Sequence, residues 1–382
     1  MDNLWLASAL WIGLALAASV ISIWAGLSVA LIELMVGAIA GNTIGLTLAP
    51  WVQYLAGFGA ILLTFLAGTE IDHQVVRRHF KASLSIGVIG FVAPYTGVLL
   101  FIHYITGWPW PQAQIAGIAL STTSVAVVYA VMVETGLNKT EIGKIILAAC
   151  FINDLGTVLA LGVVFAHYDL WLLAFAVFVG ITLWILPKFT PWFFAKVGHR
   201  VSEPETKFIA LVLFFLGGMG SIVGTEAVLP AYLVGMVLAP AFQREPGLGH
   251  RIRVIAFTIL TPFYFLKAGS LVNFHAVVAS FGLILLLLVL KMASKFIGIL
   301  PLTRFFRFER RDGMYTTLMM CTGLTFGSIS ALFGLTNHII DQTQYTLLVT
   351  AVIGSAIVPT LIAQRWFQPD SPHAKEEPQH VQ

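Results

Sequence analysis

Charge is scarce in this chain. Only 10% of its 382 residues are charged, 21 basic and 18 acidic, against about 25% in an ordinary soluble domain. So few cannot cover the water-facing surface of a 41.6 kDa globule, which excludes a soluble enzyme, and with 58% of residues hydrophobic a disordered chain is excluded too. Cysteine is nearly absent: Cys150 and Cys321 both lie in apolar stretches, so a disulfide scaffold is excluded and the redox compartment cannot be read from them. No Walker loop, zinc spacing, heme signature or nucleophile elbow stands in a suitable context. No enzymatic activity, resident cofactor or nucleic-acid partner is therefore expected. The first apolar run follows Met1-Asp2-Asn3 with no basic residue before it, so a cleavable signal is not expected.

Long hydrophobic runs dominate instead, with a mean hydropathy of +0.90. Thirteen runs lie near 4–24, 28–45, 50–69, 82–105, 112–134, 141–166, 168–187, 207–223, 226–242, 254–273, 276–301, 313–334 and 344–366. They match the length of a bilayer-spanning helix and lack the polar alternation of barrel strands. The expected fold class is an all-α polytopic membrane protein whose partner is the lipid bilayer. Eighteen of the 21 basic residues fall in alternate connections: 70–81, 139–144, 188–207, 244–253, 304–311 and the tail. By the positive-inside rule these connections are cytoplasmic, which places the N-terminus outside and the C-terminus inside. The stretch 188–206 reads as an amphipathic linker, and 368–382 as a polar, disordered tail after a membrane domain at 1–367.

Segments 82–166 and 276–366 have similar lengths, sit an odd number of spans apart and so run in opposite directions. Their middle members carry Ser121-Thr122-Thr123-Ser124 and Cys321-Thr322-Gly323, and both finish in Gly-Leu, at Gly136-Leu137 and Gly334-Leu335. This suggests inverted repeats with an interrupted helix in each, a plan known among secondary transporters.

Three cations remain inside the runs, Lys267, Lys291 and Lys295, along with the acids Glu33, Glu226 and Asp154. Each costs a few kcal/mol at membrane depth and is a functional candidate in need of a partner. Asp154 lies ten residues after Lys144, hence ~15 Å from the cytoplasmic edge. Burial opposes the charge on such a carboxyl and a nearby cation restores it, so the group suits holding a proton or a small hard cation in turn. Asn153 offers an amide oxygen beside it. Lys295 lies nine residues before Arg304, hence ~14 Å from the same edge, and pairs with Asp154 if the two helices pack; Lys291, one turn away, is the alternative. Lys267 is matched with Glu226 or with an outer funnel, Glu33 with packing. The hydroxyls and freed carbonyls of Ser121–Ser124 suit cation coordination, or else simple helix packing.

These stretches resemble the monovalent cation/proton antiporter superfamily, the sodium/hydrogen exchanger fold. FGAILLTFLAGTEID (58–72) is similar to the family's third-helix pattern, and 119–156 to its unwound helix followed by the ion-binding helix, with Asn153-Asp154 on the Asn-Asp pair. ASKFIGILPLTRFF (293–306) is similar to the helix bearing the family's basic residue, which selects Lys295 over Lys291; TGLTFGSISALFGL (322–335) resembles the second unwound helix. Phe326 and Ser328 beside Gly327, and Lys267, depart from the family pattern. The resemblance implies a core domain and a dimerisation panel, a homodimer without a fused regulatory domain, and alternating access in a bacterial cytoplasmic membrane. It further implies that Asp154 binds cation or proton in turn. Asn153, Thr123 and Ser124 then shape the ion site, and Lys295 supports it electrostatically. Na⁺ is the expected cation; K⁺/H⁺ exchange or K⁺ efflux is the alternative, and a channel or a Na⁺-coupled solute symporter a more distant one.

Overall fold

The computed structural model describes residues 3–25, 28–46, 48–69, 79–137, 140–165, 170–198, 200–223 and 227–369. Among them the chain is helical throughout, with no strand. In chain order, α1 (Leu4–Ala25), α2 (Val29–Thr43) and α3 (Pro50–Thr69) precede α4 (Phe80–Thr106). The expected run at 112–134 divides into α5 (Trp110–Ser121) and α6 (Val125–Glu134); α7 (Glu141–Val164) follows as one long helix. Next come α8 (Leu170–Val197), α9 (Pro204–Val223), α10 (Val228–Arg244) and α11 (Pro246–Ile255), which passes through a π turn at Ala256–Leu260 into α12 (Thr261–Ser270). The short α13 (Phe274–Ala279) leads to α14 (Phe281–Phe305). The last hydrophobic runs form α15 (Arg310–Cys321), α16 (Thr325–Thr336) and α17 (Gln342–Trp366).

Ten helical spans among the described residues are long and apolar enough to cross a bilayer, while Val29–Thr43 and Val228–Arg244 are apolar but shorter. Their many large apolar side chains on the outside, such as Trp5, Trp24, Leu170 and Ile297, would be misplaced in water and are natural against lipid. The stretch 188–206 differs from the expected linker. Helix α8 continues through Lys188 to Val197 despite Pro187 and Pro191, and Lys188 and Lys196 lie over the rings of Trp184 and Trp192. Covering the aromatic faces of the previous turn lets these basic residues extend the helix rather than end it.

The chain forms two compact units. One combines 1–72 with 158–271, the other 73–157 with 272–382. In the first, α3 packs on α10 and α2 on α12. Glycine makes both approaches: a Cβ on Gly68 or Gly235 would strike the facing backbone, and one on Gly37 or Gly269 would overlap the carbonyl of Leu266 or Leu34. With lipid tails as apolar as leucine, such close backbone contact is what holds membrane helices together. Around it lies an apolar core including Leu62, Phe65, Leu213 and Leu238, with Phe58 and Phe214 stacked at 4.0 Å. Glu33 is buried on α2, in keeping with a packed position. Lys267 is half-buried on α12; Glu226, its expected partner, lies outside the described residues, as do Glu70 and Asp72 of the third-helix pattern.

The second unit holds two matched series. Helices α4, α5, α6 and α7 begin at 80, 110, 125 and 141; α14, α15, α16 and α17 begin at 281, 310, 325 and 342. In each, two long helices flank a helix that is broken for three residues, Thr122–Ser124 and Thr322–Leu324. The long helices pack by small residues. Gly97 abuts Ser294, and Gly298 abuts Ile89 and Ala93, bringing α4 against α14.

Candidate ion site at two helix breaks

A helix break at membrane depth exposes backbone groups that lipid cannot satisfy. Each such group left unmet costs about 1–3 kcal/mol. The sequence meets these demands locally first. The hydroxyls of Ser121, Thr122 and Thr322 each donate to the carbonyl three residues earlier, Ile118, Ala119 and Met319. The Ser124 hydroxyl accepts from the Val127 N–H at 3.4 Å, at the start of α6, as a helix-capping serine does.

Further groups are met across the unit. Ser124 N–H donates to the Thr322 carbonyl at 3.1 Å, so one break holds the other. Asn153 on α7 spans the first break. Its Oδ1 accepts from the Thr123 N–H at 3.0 Å, and its Nδ2 donates to the Ser121 carbonyl at 3.4 Å. Thr123 donates its hydroxyl to the Met320 carbonyl at 2.9 Å. Lys295, fully buried on α14, donates to the Thr122 carbonyl at 3.0 Å, the Thr123 hydroxyl at 2.8 Å and the Met320 carbonyl at 2.5 Å. A lysine ammonium has three donors, and here all three are engaged. Two of the acceptors are carbonyls at the C-terminal ends of α5 and α15, where a helix dipole favours positive charge.

Asp154 lies next to Asn153, close to the middle of α7, and is 1% exposed. It is within electrostatic range of Lys295, yet the two form no ion pair. Lys295 is taken up by the helix breaks, and Asp154 Oδ1 has no hydrogen-bond partner. Asn153 Oδ1, the amide oxygen expected beside it, accepts the Thr123 N–H. Thr123, Ser124, Asn153, Asp154 and Lys295 are thus gathered in one buried cluster, in which four secure the two breaks and the fifth presents a free carboxyl oxygen. Such an oxygen is hard and, when ionised, anionic, as a proton or an alkali cation requires.

Lys291 stands apart from Asp154. Fully buried, it donates to the Ser355 hydroxyl on α17 at 2.9 Å. That hydroxyl donates to the Val352 carbonyl of its own helix at 2.8 Å and also lies 3.3 Å from the Gly323 carbonyl. Ser355 was not singled out by sequence, since a lone serine in an apolar helix carries no signal on its own. The Met320 carbonyl, which receives both Lys295 and Thr123, was equally invisible, because any residue type can supply it.

Residues 9–368 match the family model for the sodium/hydrogen exchanger, transmembrane. The chain is 26% identical over 326 residues to the probable Na⁺/H⁺ antiporter 3 of Methanocaldococcus jannaschii, covering 81% of this chain and 83% of that one. It is 24% identical over 348 residues to the Na⁺/H⁺-K⁺ antiporter GerN of Bacillus cereus, covering 84% and 86%. Among solved structures, the sodium proton antiporter NhaP1 of M. jannaschii at pH 8 superposes with a TM-score of 0.67 at 14% identity, over 93% of this chain and 94% of that one. With its broken helices paired and a family match running nearly end to end, the chain belongs to the sodium/hydrogen exchanger family of membrane proteins.

Proposed function

We propose that the protein exchanges Na⁺ for H⁺ across the membrane by alternating access, with Asp154 holding either ion in turn. The observation that carries this reading is the free, buried carboxyl oxygen of Asp154 next to Asn153, which clamps the first helix break, and within reach of the charge on Lys295. A carboxylate so enclosed is stable when protonated or when a cation lies on it, and one negative charge accepts one positive charge. Competition between the two ions then follows from the site itself. Asn153, Thr123 and Ser124 shape it by fixing the backbone of the first break. Lys295 supports it by charge from its place on the carbonyls. Na⁺ is the favoured cation, supported by the names of the relatives; the Na⁺/H⁺-K⁺ name of GerN makes K⁺ the second reading.

The alternation of basic connections supports a cytoplasmic C-terminus and an external N-terminus in a bacterial inner membrane. We read the unit holding the breaks as the transporting core and the glycine-packed unit as the panel of a homodimer. The reading is tested with purified protein in proteoliposomes. Dissipation of a pH gradient is followed on adding Na⁺, Li⁺ or K⁺ at several pH values. Exchange that saturates with Na⁺ is expected. Conductance without coupled proton movement, or flux that demands an organic solute, would overturn it.

A further inference from the structure

The two broken helices are in register. Thr123 and Gly323 are each the second residue after the end of the preceding half-helix, Ser121 and Cys321. Counted from Glu141 and Gln342, Asp154 and Ser355 hold the same step of α7 and α17. The first break thus has a threonine side chain where the second has none. The space is filled all the same. A Cβ built on Gly323 would clash with Lys291 Nζ, and would lie 3.0 Å from the Thr122 hydroxyl and 3.2 Å from that of Ser355. Gly323 does not have the positive φ found at Gly45, Gly107 and Gly136, so space and not backbone conformation requires glycine there.

We propose that Lys291 is a positioning residue for ion exchange: lodged between Gly323 and Ser355, its Nζ takes at the second break the place that the Thr123 side chain takes at the first. It fixes the backbone at 322–324, and that backbone is tied to the ion site through Ser124 N–H on the Thr322 carbonyl. Lys295 grips the same break at Met320, one residue before Cys321. The two lysines, one turn apart on α14, therefore divide the work. Lys295 joins the first break to the second, and Lys291 steadies the second alone.

The inference rests on Asp154 as the exchange site, and the experiment separates the two. Na⁺-dependent proton flux is measured in proteoliposomes for the wild type, Lys291→Ala, Gly323→Ser and the double variant. Lys291→Ala is expected to raise the half-saturating Na⁺ concentration about tenfold with the maximal rate within about twofold. Gly323→Ser, which crowds Nζ, shifts it the same way. The double variant, with a side chain restored where the lysine left, returns to within about threefold of wild type. A double variant no better than the worse single one overturns the proposal. So does a lowered thermal midpoint with unchanged half-saturation, the mark of packing alone. If Lys291→Ala does not fold, Lys291→Met and Ser355→Ala serve instead. Their effects on half-saturation should not add, and full additivity overturns the proposal. Wild-type exchange in Asp154→Asn would remove Asp154 as the exchange site, while the Lys291–Gly323 compensation in half-saturation would still decide the role of Lys291. Failed compensation beside an inactive Asp154→Asn removes only the role of Lys291.

Discussion

Ser124 donates its backbone N–H to the carbonyl of Thr322 at 3.1 Å, and through this bond each helix break becomes part of the other's environment. It is the kind of contact found between neighbouring extended strands, here placed inside a helical membrane protein. Beside it the Thr122 carbonyl receives Lys295. The geometry of the site therefore depends on side chains from α7 and α14 as well as on the broken helices.

Asp154→Asn should abolish exchange, by about a hundredfold or more, since an amide cannot release a proton or balance a cation's charge. The protein should still insert and fold, because Asp154 Oδ1 holds no other group in place. Flux in proteoliposomes, with thermal unfolding in detergent, checks both halves of the expectation.

Lys295→Ala should be costly to stability as well as to transport. It leaves the Met320 carbonyl with Thr123 alone and the Thr122 carbonyl with no partner, at about 1–3 kcal/mol for each buried acceptor left unmet. A fall of several degrees in thermal midpoint is expected, together with weakened exchange. An unchanged midpoint would mean that another donor takes over these carbonyls.

Asn153→Ala frees the Thr123 N–H and the Ser121 carbonyl together. The expected result is a loss of about 2 kcal/mol in stability and a raised half-saturating cation concentration, because the first break loses its clamp. Asn153→Asp keeps an acceptor for Thr123 but, when ionised, sets a second buried negative charge beside Asp154, so it should be no more stable than the alanine variant. Thermal midpoints rank the two directly.

Competition for Asp154 fixes the sign of the pH dependence. A protonated carboxyl excludes the cation, so lowering the pH should raise the half-saturating Na⁺ concentration, approaching about tenfold per unit where protonation is nearly complete. The maximal rate at saturating Na⁺ should move far less. Initial rates across a grid of pH and Na⁺ concentration test this, and a half-saturation independent of pH would end the single-site account.

Gly235→Val should unseat α3 from α10. A side chain there meets the Phe65 carbonyl and Gly68, and overpacking of this kind costs about 1–3 kcal/mol. Gly13, with open space around it, should tolerate alanine with little change. Comparing the two by thermal unfolding separates the close crossing from an ordinary lipid-facing glycine.

Much of this was readable beforehand, for a physical reason: charge is so expensive in a bilayer that Asp154 and Lys295 announce themselves in an apolar run. The polar runs at 121–124 and 321–323 likewise marked the breaks, since hydroxyls that bond to their own helix are what an interrupted helix needs. Pairing was harder. Equal depth suggested that Lys295 meets Asp154, but depth along a helix gives height and not direction, and the lysine turns to carbonyls that no residue type reveals. The Lys291–Ser355 bond links positions 64 apart, and only the packing of α14 against α17 brings them together. The boundary of α8 was missed because prolines and lysines read as a linker until the rings beneath the lysines are seen.

Lys295 has no hydrogen left to give. Should it ever reach for the Asp154 carboxylate, it must first let go of Thr122, Thr123 or Met320, slackening the seam where the half-helices join. Losing an ion from the carboxylate and loosening that seam would then be a single event, so an emptied carrier would differ in shape from a loaded one without any separate sensor.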